Sequence, residues 1–367
     1  MTTSPAMPTG LDRLALIAAA RRAVLDGTPR HTPPLAPWIE RSWLRCLASG
    51  QHPEQRLGCT PIPAHTLAQV QEAHRDLREA ARPVLEALGR AMTHSRYFAI
   101  LTNAQGVVVD VNGAFDPRDP RAHLITRIGA DLSEASLGTS AISAALIEQQ
   151  PVWLHRGEHF FAMNAGYSCA GAPVAGPDGH CIGMLDLTGI DTAERPELRH
   201  LVARSARSIE NALVLRQPHQ LLLRLNWPGQ PLGDEADGLL ALDGDGRIGA
   251  ANPAARAMIP ALSPGQPALH ASEVFALPYA TLFDACASGQ PLEVPLWSGL
   301  RLRALAQRPG QPLAAHPPRP ASHSRPLRDV ELALIRQAVA EAQGNIQQAA
   351  RRLGISRATI YRKLGHK

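Results

Sequence analysis

GNIQQAARRLGISRATIYRKLGHK, residues Gly344 to Lys367, carries six Arg or Lys and no Asp or Glu, and two helix-length segments meet in it at Gly354-Ile355. Upstream, Leu327, Val330, Leu334, Ile335, Ala338, Val339 and Ala342 recur at helical spacing, with Arg328, Asp329, Arg336, Gln337 and Glu341 falling on the other side. Gly344 ends that first helix, and Asn345 is placed to cap the second through its side-chain oxygen. In the second helix Ile346, Ala349, Ala350 and Leu353 share a face, and Ala350 must be small because a crossing helix approaches its backbone. Gly354 supplies the turn geometry, Ile355 plugs the core, and Ser356 caps a third helix. There Ile360 and Leu364, at i and i+4, face inward. Arg357, Thr359, Tyr361, Arg362 and Lys363 are left pointing out. The pattern predicts an all-α helix-turn-helix over 327–367, its last helix shaped for the DNA major groove. The predicted contact set is Asn345, Gln347, Ser356, Arg357, Thr359, Tyr361, Arg362 and Lys363. Arg at the start of such a helix can pair in bidentate fashion with guanine, Thr can meet a thymine methyl, and the other basic groups suit phosphates.

Charge is distributed to match. From Arg325 to Lys367 there are nine Arg or Lys against three Asp or Glu, a net of +6; the 367-residue chain as a whole carries +5, which leaves −1 for everything before. A nearly neutral body with a basic tail predicts that the tail alone meets a polyanion. The five cysteines (Cys46, Cys59, Cys169, Cys181, Cys286) are odd in number, widely spaced and without a CxxC pair, which suits a reducing cytoplasm. The longest early apolar run, Leu14 to Ala20, follows Asp12-Arg13 and reads as an amphipathic helix rather than a signal peptide, and no run has the length of a membrane span.

Between its ends the chain reads as α+β. Residues 1–36 are Pro-, Ala- and Thr-rich, with one short helix signal, and are expected to be flexible. Residues 37–217 combine a helical lead-in, a hairpin at Phe98–Val109 turning through Asn103-Ala104-Gln105-Gly106, further strands at 151–154, 170–174 and 181–187, and a closing helix from Arg195 to Leu215. A smaller α+β cycle fills 236–305, with a turn at Asp243-Gly244-Asp245-Gly246 and a helix opened by Asn252-Pro253. Residues 306–326 are proline-rich and predicted to be a stiff linker.

Several stretches are similar to one bacterial family. The tail resembles the Fis-type DNA-binding domain that ends many enhancer-binding activators. Ser42-Trp43-Leu44-Arg45-Cys46 resembles the opening of acetoin-catabolism regulators, and Ser133–Ala141 (SEASLGTSA) resembles a segment of their GAF sensor domain. Glu158-His159-Phe160 and Tyr167–Pro173 resemble its later signatures, and residues 237–303 are loosely similar to the PAS domain that follows. The resemblance implies a GAF-like sensor, a smaller PAS-like module and a helix-turn-helix. It also implies a pocket for a small effector between sheet and helices, with Thr139, Ser140, Phe160, Tyr167 and Cys169 as candidate lining. Ser140 stands where the family has Asn, so the resemblance assigns no particular effector. For Ser133, Glu134, Thr139, Glu158 and His159, hydrogen bonds that hold the fold are the competing reading.

Full-length relatives carry a sigma-54-activating ATPase between sensor and tail. Its P-loop needs GxxxxGK followed by Ser or Thr. The only lysines here are Lys363, followed by Leu364, and Lys367, so these 367 residues hold no P-loop. The expectation is a cytoplasmic, homodimeric, DNA-binding transcription regulator without cofactor, metal, membrane partner or motor. It would act by occupancy, or by touching RNA polymerase or a related full-length activator. Two other classes compete. One is an interaction module that forms mixed dimers with such an activator. The other is a zinc hydrolase, because His155–His159 spells HxxEH. That chemistry needs both histidines on one helix face, whereas Pro151–Leu154 reads as strand and Gly157 interrupts the motif. Dimerisation is expected at both ends, through the apolar stripe Leu327–Ala342 and through Leu201, Ile209, Leu213 and Val214 of the closing helix.

Overall fold

The computed structural model describes residues 10–25, 35–58, 62–310, 339, 346–353, 357 and 360. The chain divides into two units, 1–311 and 312–367. In the first, helices α1 (Gly10–Leu25), α2 (Pro37–Ala48), α3 (Ala64–Ala73) and α4 (Arg75–Met92) precede a five-stranded antiparallel sheet. Its strands are β1 (Tyr97–Asn103), β2 (Val108–Asn112), β3 (Val152–His155), β4 (Tyr167–Ala175) and β5 (Cys181–Ile190), in the order β2-β1-β5-β4-β3. Between β2 and β3 run α5 (Pro120–Thr126), α6 (Glu134–Leu137) and α7 (Ala141–Glu148), and α8 (Leu198–Leu215) follows β5.

Both faces of this sheet are covered, so the strands are apolar on both sides. All seven residues of β1 are buried. Tyr97, Ala99 and Leu101 join Leu185 and Leu187 of β5 against α4 and α8. Phe98 and Ile100 join Met184 and Cys169 against α7. The side-chain period of two therefore sends Met184, Asp186 and Thr188 to the α7 face.

A second sheet follows. It contains β6 (Leu221–Asn226), β7 (Gly238–Leu242), β8 (Ile248–Ala251), β9 (Leu292–Pro295) and β10 (Arg301–Gln307), ordered β8-β7-β6-β10-β9. Helices α9 (Pro253–Met258), α10 (Ala271–Val274) and α11 (Tyr279–Ser288) lie between β8 and β9. The two sheets share one spatial layout: a central strand flanked by two hairpins, the central strand coming last in the first sheet (β5) and first in the second (β6). A module starting at 236 leaves out β6, whose Leu221, Leu223 and Leu225 sit in the core with Phe275, Leu282 and Leu302. The opposite face of the sheet packs Leu239, Ala241 and Ala250 on Val214 of α8. The fully buried Asn252 caps α9, accepts from Leu239 N at 2.8 Å and donates to Asn211 of α8 at 2.7 Å.

Two expectations need correction. The N-terminal stretch expected to be flexible contains the 16-residue α1, with Ile17 and Ala20 buried. Helix α8 does not offer its apolar stripe to a second chain. Ile209, Leu213 and Val214 are 0%, 3% and 1% exposed, and Leu201 packs against the same core. That face is spent on the first sheet and on the contact with the second.

In the second unit α12 (Ile346–Leu353) is described, with Ala350 and Ile360 buried and Gln347 and Arg357 exposed. The inward and outward assignments at these four positions agree with the helical pattern. Asn345, Ser356, Thr359, Tyr361, Arg362 and Lys363, the stripe Leu327–Ala342 apart from Val339, and the linker beyond Gly310 lie outside the described residues.

Candidate functional site

Helix α2 acts as a brace for the segments around α6 and β3. Ser42 Oγ donates to Glu134 at 2.5 Å and is 2.7 Å from Thr139 Oγ1. Arg45 forks onto both oxygens of Glu134 at 2.8 Å. Trp43, 1% exposed, donates its indole N–H to Glu158 O at 2.9 Å and packs with Phe160 and Phe161. Cys46 lies 3.8 Å from Thr139 Oγ1. Thr139 and Phe160, expected to line a pocket, lie against α2 in this brace. Glu134 and Glu158 likewise serve the fold.

Helix α1 reinforces the other side of the same segment. Arg13 bonds Glu158 at 2.7 Å and stacks over Trp153, and Arg21 donates to the carbonyls of Gly157, His159 and Phe160. Burial pushes the Glu158 carboxyl up to about 7 despite the Arg13 partner. The HxxEH string is the end of β3 followed by a single 3-10 turn, Arg156–Glu158. Glu158 accepts from His155 N at 2.7 Å, His155 meets Ser168 Oγ at 2.5 Å, and His159 points to a separate cavity. The two histidines share no helix face, and no His, Cys, Asp or Glu cluster of metal-binding geometry occurs among the described residues. Of the thiols discussed, Cys169 is buried and Cys181 half-buried.

Gly138 forms the joint between α6 and α7, at φ 66°, and a Cβ there would come 2.9 Å from the Phe161 ring. Gly138→Ala is expected to destabilise the first unit by about 1–3 kcal/mol, read as a lowered urea midpoint. An unchanged midpoint would contradict this geometry.

Behind the brace, α7 and the 159–169 stretch enclose a cavity of about 10 Å³ lined by Ser140, His159, Tyr167, Cys169, Asp186 and Thr188, with Ile125, Leu137 and Ile142 as apolar wall. Ser140, Tyr167 and Cys169 are the sequence candidates that the fold brings together. Ser140 caps α7 through Ser143, and Tyr167 donates its hydroxyl to Arg121 O at 2.9 Å. Asp186, His159 and Thr188 complete the lining and were not read as lining from the sequence. Asp186 is 0% exposed and has no cationic partner among the described residues, so burial pushes its carboxyl up to about 7. Thr188 donates to Asp186 Oδ2, which leaves Thr188 Oγ1 to accept from the Cys169 thiol at 3.2 Å. Burial drives that thiol well above its ordinary range. Burial also lowers His159 to about 4, so its ring is neutral. A carbonyl can only accept, so the 2.9 Å contact to Arg156 O places the ring proton on Nδ1.

Residues 326–365 match the family described as bacterial regulatory protein, Fis family, and residues 36–211 match the MimR N-terminal domain. The acetoin catabolism regulatory protein of Cupriavidus necator is 31% identical over 253 residues, covering 67% of this chain and 37% of that protein. The acetoin dehydrogenase operon transcriptional activator AcoR of Bacillus subtilis is 28% identical over 183 residues, or 48% of this chain and 29% of that protein. Its homologues are acetoin catabolism regulators and MimR-like activators. This AcoR-like chain therefore ends in a Fis-type, DNA-binding helix-turn-helix. The propane 2-monooxygenase operon activator MimR of Mycolicibacterium goodii is 27% identical over 53% of this chain and 32% of that protein. The AcoR-like chain spans about a third of the length of the curated relatives it matches. Among solved structures, the Escherichia coli DhaR(N)–DhaL complex aligns at TM-score 0.46 and 17% identity, covering 74% of this chain and 99% of that one. No described helix is long and apolar enough to cross a membrane.

Proposed function

We propose that this chain is a cytoplasmic regulator that binds operator DNA as a dimer through residues 327–367 and senses a small molecule in its first sheet unit, without an ATP-driven step on sigma-54. The observation that carries the reading is the Fis-family match over 326–365, on a segment where Ala350 and Ile360 are buried and Arg357 is exposed. The net charge of +6 after Arg325 supports it. We read the first sheet unit as GAF-like. We read the second as PAS-like, with β6 in the place of the strand that comes last in the first sheet. One helix-turn-helix reads few base pairs, which favours two copies on a two-fold site, joined through the Leu327–Ala342 stripe. The absence of a P-loop from these 367 residues supports action by occupancy or by contact with RNA polymerase. The matches to relatives at both the sensor and the tail also suit mixed dimers with a full-length activator.

The DNA contacts are tested by substitution. Arg357→Ala is expected to cost about 1–3 kcal/mol on the operator and to relax preference at one base position. Lys363→Ala is expected to weaken all sequences alike and to lower the salt slope by about one. Selection of binding sites from a random pool, at two salt concentrations, measures both. Equal affinity and unchanged site preference for Arg357→Ala would overturn the assignment.

A further inference from the structure

The β4–β5 turn, Gly176–Gly179, leaves the first sheet and ends against the second. Pro177 O in this turn accepts from Ala251 N at 3.0 Å and from Arg256 Nη2 at 2.7 Å. A carbonyl oxygen has two lone pairs, and both are taken by donors at the corner where β8 passes into α9. Arg256 also ties that corner to itself, through Nε to Ala251 O at 3.3 Å and Nη1 to Leu262 O. Burial lowers the Arg256 pKa and the charge of Asp178 opposes it, as befits a guanidinium lodged among carbonyls. Gly179 stands at φ 90°, and a Cβ there would come 2.7 Å from Arg256 Nε. Helix α8 completes a ring of contacts. Its Glu210 accepts from Ala175 N at 2.9 Å, at the register shift where β4 enters the turn. The adjacent Asn211 accepts from Asn252 at 2.7 Å, on the corner itself. Turn, corner and helix are thus tied pairwise by polar groups that are buried or half-buried.

We propose that the Gly176–Gly179 turn and the β8–α9 corner form a coupling joint, through which the second sheet follows conformational change in the first, with Arg256 as its positioning residue. The turn joins β4 to β5, the central strand of the first sheet, so a shift of either strand moves Pro177. A hydrogen bond is directional and weakens steeply as its angle closes, whereas an apolar contact is non-directional and tolerates sliding. A displaced Pro177 O therefore leaves the half-buried guanidinium short of an acceptor, and the corner moves with the turn to keep the bond. From the corner the ladder runs through β8, β7, β6 and β10. Strand β10 is the last one before the chain continues to the Fis-type segment at 326–365. Whatever ligand or load moves the first sheet, the joint delivers the change to that strand.

The experiment follows backbone hydrogen exchange in four full-length chains: the parent, Trp43→Ala, Arg256→Gln and the double variant. Trp43→Ala loosens the first unit at α2, where the indole bonds Glu158 O and packs with Phe160 and Phe161. A cavity of about 160 Å³ borders Arg256, so water can reach the carbonyls that glutamine leaves open, and that variant is expected to fold. With Arg256 present, Trp43→Ala is expected to speed exchange in β6, β7 and β10 at least tenfold. In the Arg256→Gln background the same substitution is expected to act at least threefold less on those strands, with β1 and β5 responding as before. A residue that only holds its own corner together would change the protection of the second sheet without changing its response to Trp43→Ala. Equal responses in the two backgrounds would therefore overturn the proposal. Should Arg256→Gln fail to fold, reciprocity decides with Arg256 in place. Leu282→Ala, in the second core, is then expected to speed exchange at least tenfold at Ala175 and Gly176, whose N–H groups bond Glu210 and His180 O. Exchange at those two amides unmoved by Leu282→Ala would overturn the joint as well.

Discussion

Asp186→Asn is expected to stabilise the first unit at pH 8 by roughly 2–4 kcal/mol, and to change it little near pH 4. The sign follows from the direction of the shift. Burial raises Asp186 from 3.8 to about 7 in the folded chain, so the folded form keeps a proton that the unfolded chain releases. Stability associated with Asp186 is therefore complete below about pH 4 and is lost as pH rises through about 7. Asparagine has the same shape, still accepts from Thr188, and carries no charge to desolvate. Glu158 and Glu210, both raised to about 7 by burial, act in the same direction as Asp186, whereas His155 and His159, both lowered to about 4 by burial, act in the opposite one. For this reason the variant must be compared with the parent at each pH. Urea unfolding at pH 4.5 and pH 8 measures the difference. Destabilisation of equal size at both values would show that Asp186 is paired in a way the cavity geometry does not contain.

Trp43→Ala is expected to cost about 3–5 kcal/mol, the range for removing a buried aromatic side chain. The ring is 1% exposed, packs with Phe160 and Phe161, lies under the Arg21 guanidinium at 5.7 Å, and donates to Glu158 O. Losing it opens a void and leaves a buried carbonyl short of a donor. Hydrogen exchange is expected to accelerate along α2 first, since Ser42 and Arg45 are held to Glu134 by the same docking. Leu44, the next residue, is 49% exposed, and Leu44→Ala is expected to stay within about 0.5 kcal/mol. Similar losses for the two variants would mean that α2 is not docked by its tryptophan.

The parts legible in the sequence were those in which one local rule operates. The apolar spacing through Ala350 and Ile360 placed two buried residues of the tail correctly, and the run Phe98–Thr102 with its Asn-Gly-bounded turn falls on β1 and its hairpin. Helix α1 was legible as a short amphipathic helix at Leu14–Ala20, but its docking was not, because polar chemistry helps to hold it. Arg13 and Arg21 turn inward to a buried glutamate and three carbonyls. Strand β6 was missed although Leu221–Leu225 is apolar: it follows α8 directly, joins β7 through residues 227–237 without a tight turn, and takes its other partner, β10, from far along the chain. The α8 stripe was legible as apolar but silent about what covers it, and the answer is the chain's own two sheets. The cavity had one usable signal. In the ten-residue strand Cys181–Ile190, Asp186 is the single charge, and a sheet covered on both faces leaves such a charge nowhere to go but inside. The family signatures around Ser42–Cys46 and Glu134–Thr139 were visible as motifs. Their joint role as a brace needed three dimensions, because about ninety residues separate the partners.

The claim on which the rest depends is that the last forty residues carry the contact with DNA and need no nucleotide to do so. The most direct measurement is a footprint of the full chain on fragmented genomic DNA, without ATP, beside a chain ended at Pro326. The full chain is expected to protect discrete sites with two-fold symmetry, and the shortened chain none. Equal protection of the same sites by the shortened chain, or protection by the full chain only when ATP is added, would contradict it.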